Sequence, residues 1–212
     1  NPSVTIRSII NRGGEQVAQH SQALHSWFTH VPGLRVVMPS SVADARDLLI
    51  ASVLCDDPVM YIDDRWLYER EDDLPPIVEL SLQDQGPKCI IKGSDLTIVG
   101  SGFTTFLAQK AAEILLDDGI EVDVIDLRIL NPFDSSVVLK SVEKTGHLLV
   151  VDSGTLTSGF AAEVIASTSE AIDPRLIKKP PKRLTLPDAP APTSHVLEDE
   201  YYVKVSDVVE AV

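Results

Sequence analysis

The sequence predicts an α/β fold with a mostly parallel sheet, on three observations. Apolar runs of strand length alternate with stretches of helical period. Capping and breaking residues stand at the ends of those stretches. One run, residues 147–151, is apolar without alternation, as a strand covered on both faces must be. Taken in order, residues 4–10 read as an opening strand expected to be buried. Residues 41–54 read as a helix: Ser41 is the N-cap, Asp44 the acid three places on, and Val42, Ala45, Leu48, Leu49 and Val53 the apolar face. Residues 58–62 are a short strand. From 63 to 84 eight acidic residues stand against Arg65 and Arg70, Pro75-Pro76 interrupts, and no periodicity survives, which predicts a linker between two units.

The second unit has the clearer pattern. Residues 96–99 are a strand, and residues 103–116 a helix with Phe103, Phe106, Leu107, Ala111, Ile114 and Leu115 at helical spacing and Gly119 beyond its end. Residues 121–127 alternate with period two. Asp134 opens a helix to Thr145 that Gly146 closes, the apolar run 147–151 follows, and residues 159–171 form another periodic helix. Right-handed crossovers and parallel pairing follow from that order.

Composition excludes several function classes. The 212 residues carry 18 Lys and Arg against 32 Asp and Glu, a net charge of −14 that repels phosphate backbones, so nucleic-acid binding is not expected. No apolar run reaches membrane-spanning length and no leader opens the chain, so a cytoplasmic protein is expected. Cys55 and Cys89 lie far apart, without the spacing of a disulfide scaffold or zinc site. The run Gly100-Ser101-Gly102 follows a strand and opens a helix, with Asp123 and Asp126 some twenty residues on. Thr105 stands where a dinucleotide-binding fingerprint needs its third glycine, which favours a simple tight turn.

The histidines carry more. His20, His25 and His30 are spaced by five, which fits no helical metal pair. His25, His147 and His195 read as packing or surface residues. His20 follows the loop 12–15, is flanked by Gln19, Ser21 and Gln22, and is expected at the opening of a helix, placed to exchange protons near pH 7.

The blocks Ala18-Gln19-His20-Ser21-Gln22 and residues 30–40, His-Val-Pro-Gly-Leu-Arg-Val-Val-Met-Pro-Ser, resemble the β subunit of thiamine-diphosphate-dependent 2-oxo acid dehydrogenases, the E1β of pyruvate, branched-chain and acetoin complexes in the transketolase-like superfamily. The resemblance continues through residues 57–59, 93–99, 126–132 and 192–202. It implies a partial transketolase-like pyrimidine-binding domain over residues 1–75, acidic linker included. A transketolase C-terminal domain over 85–212 follows. It implies oxidative decarboxylation of a 2-oxo acid with acyl transfer to lipoamide, in a heterotetramer with an E1 α subunit, β–β self-association and a lipoyl-bearing E2 partner. The implied cofactor is thiamine diphosphate with Mg²⁺, held mainly by the α subunit, since the Gly-Asp-Gly…Asn motif is absent here. His20 takes the family's catalytic position, and Gln19 and Ser21 are the neighbours that would orient it. His30 matches the histidine before Pro-Gly, with a structural hydrogen bond or an active-site contact both open. A structural K⁺ held through backbone carbonyls is implied at Val53, Cys55 and Asp57.

The chain starts Asn1-Pro2 without methionine, and about a hundred family residues, including a cofactor-activating glutamate, are expected upstream; the fragment alone is expected to be inactive. The loop 13–17 departs from the family in carrying Glu15. Two alternatives stay open: a split transketolase-like enzyme transferring ketol groups, and a non-catalytic dimerisation module. Trp66 and Tyr68 are expected at a subunit interface. The five basic residues Arg175, Lys178, Lys179, Lys182 and Arg183 read as a solvated connection, or else as a dock for an acidic partner.

Overall fold

The computed structural model describes residues 2–212 and contains two sheets. The first is ordered β1 (Thr5–Ile10), β3 (Val59–Asp64), β2 (Arg35–Val37) and β7 (Ile129–Asn131). Its first three strands are parallel, with Arg7 opposite Tyr61 and Val36 opposite Met60, and β7 closes the far edge antiparallel. The second is ordered β4 (Lys88–Ile91), β6 (Val122–Asp126), β5 (Leu96–Gly100), β8 (Leu148–Thr155) and β9 (Lys182–Leu186). It is parallel except at the β4 edge. The helices are α1 (Val17–Ser21), α2 (His25–Thr29), α3 (Val42–Val53), α4 (Phe103–Asp117), α5 (Ser136–Thr145), α6 (Phe160–Ala171), α7 (His195–Tyr201) and α8 (Val205–Glu210). None is long and apolar enough to cross a membrane.

Where caps were legible, helices start as expected. The Ser41 hydroxyl accepts the Asp44 N–H at 3.1 Å. The return half of the capping box is not made, because the Asp44 carboxylate takes Arg128 instead, at 2.7 and 2.9 Å. The Asp134 carboxylate accepts the Ser136 N–H at 2.9 Å, and Gly146 ends α5 at φ +76°.

Two expectations are corrected. The opening strand is not buried: β1 is an edge strand, paired on one side only, and Ile6 is 50% exposed. The acidic linker starts two residues late. Asp63 and Asp64 finish the wholly buried β3, their charges met by Arg7 and Arg12, so an acidic pair serves as strand. β6 alternates in sequence, and all five of its residues are buried. Asp123 accepts the Ser141 hydroxyl at 2.5 Å and the Gly93 N–H at 2.8 Å, while Asp126 accepts the hydroxyls of Ser40 and Thr105.

One apolar cluster joins the sheets: Val36, Met38 and Ile62 from the first pack with Val99, Ile125 and Val150 from the second and with Phe160 of α6. On the far face of the second sheet, Ile98, Val124 and Val151 pack against α4 and Val208 of α8. Leu48 and Ala51 of α3 cover the first sheet over Val37, Val59 and Tyr61.

Candidate functional site

The chain leaves β1 at Ile10 and turns back on itself within ten residues. The Asn11 N–H donates to the His20 carbonyl at 2.9 Å, and the Ser21 hydroxyl donates to the Asn11 carbonyl at 2.9 Å, closing the neck of a loop. Inside it Gly13 (φ +75°), Gly14 (+65°), Glu15 (+62°) and Val17 (+53°) are all left-handed. The glycines adopt this freely. At Glu15 and the β-branched Val17 it costs about 1–3 kcal/mol each and persists only where the surroundings impose it.

Those surroundings come from the C-terminal end of the chain. The Glu15 N–H faces both carboxylate oxygens of Glu198, at 3.0 and 3.1 Å, and the Gly13 N–H donates to the Tyr202 hydroxyl at 3.4 Å. Beyond α1, the Ala191 N–H donates to Gln22 Oε1 at 3.3 Å. Gly13 also abuts Trp66, so close that a Cβ there would lie 2.8 Å from the indole.

His20 is therefore in the last turn of a five-residue helix, not at the opening of a longer one. The left-handed residues delay the helix to Val17, and Ser21, bound to Asn11, ends it. No helix N-terminus therefore faces the imidazole. The imidazole is exposed and makes no hydrogen bond to the described residues, so it can take or give a proton without breaking a contact of the fold. Gln19 is exposed beside it, and Ser21 engages Asn11 rather than the imidazole.

Beneath the loop lies a buried pair that sequence reasoning missed. The Arg12 guanidinium binds the Asp64 carboxylate, whose other oxygen accepts the Trp66 N–H at 3.1 Å. The guanidinium lies 5.5 Å from the Trp66 ring centroid and 5.4 Å from that of Phe103, and its Nε has no hydrogen-bond partner among the described residues. Burial pushes the Asp64 carboxyl above the usual carboxylate range, against the pull of Arg12. Above them a cleft of about 700 Å³ opens, lined by Arg12, Gly14, Gln16, Arg65, Trp66 and Tyr68.

The aromatic pair expected at a subunit interface is engaged within the chain. Trp66 packs edge-on to Phe103 and Tyr202 at 4.9 and 5.3 Å, and the Tyr68 hydroxyl pairs with Arg7 and Asp63. His25 is the packing residue expected, fully buried with Nε2 2.9 Å from Asp152. His147 Nδ1 meets the Asp95 carbonyl at 2.8 Å, and His195 is exposed near Asp199. His30 borders a second cleft, about 780 Å³, beside the exposed Trp27. Of the basic cluster, Arg175 pairs with Asp173, Lys178 donates to the Thr145 carbonyl, and Lys182 and Arg183, which open β9, donate to the carbonyls of Ala211 and Leu156.

The turn after α3 is braced from the N-terminal segment. The Cys55 carbonyl accepts the Ser3 hydroxyl at 2.9 Å, and the neighbouring Ser52 carbonyl accepts that of Thr5 at 2.7 Å. The Asp57 carboxylate accepts Arg35 Nε at 2.8 Å, and the Val53 side chain is exposed. No three His, Cys, Asp or Glu among the described residues are arranged to hold a metal ion.

Residues 1–70 match the pyrimidine-binding domain of transketolase, and residues 88–208 match the transketolase C-terminal domain. The β subunit of acetoin:2,6-dichlorophenolindophenol oxidoreductase from Bacillus subtilis is 34% identical over 205 residues, covering 93% of this chain and 57% of that protein. The mitochondrial pyruvate dehydrogenase E1 β subunit of Dictyostelium discoideum is 36% identical over 204 residues, 92% of this chain and 55% of its own length. The mitochondrial 2-oxoisovalerate dehydrogenase subunit β 2 of Arabidopsis thaliana is 32% identical over 209 residues, 99% of this chain and 58% of its own. The chain thus spans just over half the length of these relatives. Among solved structures, a split-gene transketolase described as an inactive β4 tetramer superposes with a TM-score of 0.78 at 22% identity, over 98% of this chain and 64% of that one, a likeness of fold alone.

Proposed function

The chain belongs to the transketolase family, its homologues are E1 β subunits of 2-oxo acid dehydrogenases, and we propose that it is the section of such a subunit that presents a histidine to the reacting acyl group. In this reading residues 1–75 are the latter half of the pyrimidine-side domain and 85–212 the C-terminal domain. The reaction is oxidative decarboxylation of a 2-oxo acid with acyl transfer to lipoamide. Thiamine diphosphate, when bound, supplies the electron sink for decarboxylation. An α subunit would hold it with Mg²⁺, a second β subunit would complete the assembly, and a lipoyl-bearing E2 would accept the acyl group.

The observation that supports this is His20. It lies in the block that most resembles the family, and its imidazole is the exposed, unbonded titratable group at the neck of the loop. An exposed imidazole that holds no contact of the fold is free to pass a proton to or from the acyl acceptor. The Arg12–Asp64 pair is buried and pairs internally, and so serves the loop's support.

The test uses the full-length subunit co-expressed with an α partner and supplied with thiamine diphosphate and Mg²⁺. Pyruvate, branched-chain 2-oxo acids and acetoin are the substrates, with an artificial dye as acceptor. Dye reduction with one of them is expected. Ketol transfer between sugar phosphates without dye reduction would overturn the reading. His20→Ala should slow lipoyl acylation by roughly 10²–10⁴-fold, the usual worth of a general acid–base group, with cofactor affinity unchanged. Normal acylation in that variant would remove His20 from the mechanism.

A further inference from the structure

We propose that the C-terminal segment from residue 187 to 203 is a strap that holds the His20 loop in its working shape, with Glu198 and Tyr202 as its positioning residues. The catalytic half of this inference rests on the role given to His20 above.

The strap grips both sides of α1. Ahead of the helix, Glu198 and Tyr202 take the backbone N–H groups of Glu15 and Gly13; behind it, Ala191 bonds Gln22. His20 lies between the two grips. The chemistry of Glu198 is what makes this more than packing. It is only 6% exposed, it forms no ion pair among the described residues, and the Glu15 amide is the hydrogen-bond partner of its carboxylate. A buried carboxylate without a cation is a poor way to gain stability, since desolvation opposes it. It is a good way to fix one amide, because a charged acceptor makes a stronger and more directional hydrogen bond than a neutral one. The amide it fixes belongs to Glu15, a non-glycine residue at φ +62°, two positions before Val17 at +53°. A loop of that shape relaxes when its restraints are removed. Tyr202 completes the grip: its ring packs on Trp66, which in turn walls Gly13. The strap is anchored by its own small core of Leu186, Ala191, Tyr201 and Tyr202.

The experiment is amide hydrogen exchange on the full chain, comparing Glu198→Ala, Glu198→Gln and Tyr202→Phe with the wild type. In Glu198→Ala, exchange over residues 12–20 should rise about tenfold, while residues 96–127, in the core of the second sheet, keep their protection. Glu198→Gln retains an accepting oxygen but not the charge, and should recover part of that loss. Tyr202→Phe should quicken Gly13 without moving the core, and it carries the test if the alanine variant fails to fold. His195→Ala, on the exposed face of the same helix, should leave the loop at the wild-type rate. Unchanged exchange over 12–20 in both Glu198→Ala and Tyr202→Phe would overturn the strap.

A second arm reads the link to His20 in the assembled enzyme. Glu198→Ala should lower kcat about tenfold at constant KM for the 2-oxo acid, with partial rescue by Glu198→Gln. A loosened loop with unchanged kcat would overturn the positioning role and leave the family reading intact. Absence of dye reduction in the wild type would instead sink the family reading, and the strap would then be judged on exchange alone.

Discussion

At the scale of single residues, the clearest consequence belongs to Asp126. It is 1% exposed at the end of β6 and accepts the hydroxyls of Ser40 and Thr105. Burial outweighs those hydrogen bonds and raises its carboxyl to about 7. The unfolded group titrates near ~4, so between the two values the folded state holds the extra proton. The stability this group contributes is fully present below about pH 4 and is lost as pH rises through 7, by up to ~1.4 kcal/mol per pH unit. Asp126→Asn should flatten the fall in unfolding free energy across that window, read by urea denaturation at several pH values; an unaltered slope would refute it. Asp152 behaves oppositely. Burial pushes its carboxyl up, but His25 and the N–H groups of Gly154 and Ala161 bring it below the usual range. Its contribution is therefore present above about pH 4 and fades below it, outside the window of Asp126. The sequence hinted at neither residue as a stability group. It did show Thr105 at the missing glycine, and that threonine hydroxyl now has its use, on Asp126. The candidate site was half legible for a related reason. His20 stands in a recognisable block, whereas Glu198 acts on a backbone amide 183 residues away, and no side-chain pattern records such a partner.

At the scale of elements, the junction of β5 and α4 repays attention. A Cβ on Gly100 would lie 2.7 Å from the Thr105 nitrogen and 2.8 Å from the Thr104 carbonyl carbon, both backbone atoms that cannot rotate away. The glycine lets the helix start directly over the strand end, which puts the Thr105 hydroxyl on Asp126. Gly100→Ala should destabilise by about 1–3 kcal/mol through overpacking, measured by thermal or urea melting. A cost below a few tenths would mean that the helix start can shift. Elements of this kind were legible because length, period and caps agree over ten or more residues, as in α3, α4, α5 and α6. The three-residue strands β2 and β7 are shorter than any readable period. The same holds for α1 and α2, at five residues each. The exposure of β1 was illegible for another reason: Val4, Ile6, Ile9 and Ile10 read as core, and only the order of strands makes Thr5–Ile10 an edge.

At the scale of the whole molecule, the two sheets behave as one body, and Arg128 is where that can be tested. It stands two residues past the β6 strand of the second sheet, at φ +58°, with its guanidinium 1% exposed. That group binds the Asp44 carboxylate of α3 at 2.7 and 2.9 Å, the Gly86 carbonyl at 2.9 Å and Gln85 at 3.2 Å. Its own carbonyl accepts the Met38 N–H at 2.8 Å. One residue of the second half therefore ties down the helix over the first sheet, the strand exit after β2 and the end of the connection between the halves. The shared core argues the same way, because separating the sheets would bare Val36, Met38 and Ile62 on one side and Val99, Ile125 and Val150 on the other. Of the two tryptophans Trp27 is largely exposed, whereas Trp66 packs on Phe103 and Tyr202, so its fluorescence reports the join between the halves while far-UV circular dichroism reports the whole. The two signals should trace a single coincident transition in urea. Arg128→Ala, which leaves the largely buried Asp44 carboxylate without its bidentate partner, should lower stability by about 3–5 kcal/mol. Because the shared core survives the substitution, the transition should move to lower urea and stay single. Two separate transitions in the wild type would contradict the single body, and a loss under about 1 kcal/mol in the variant would reduce Arg128 to an ordinary surface ion pair.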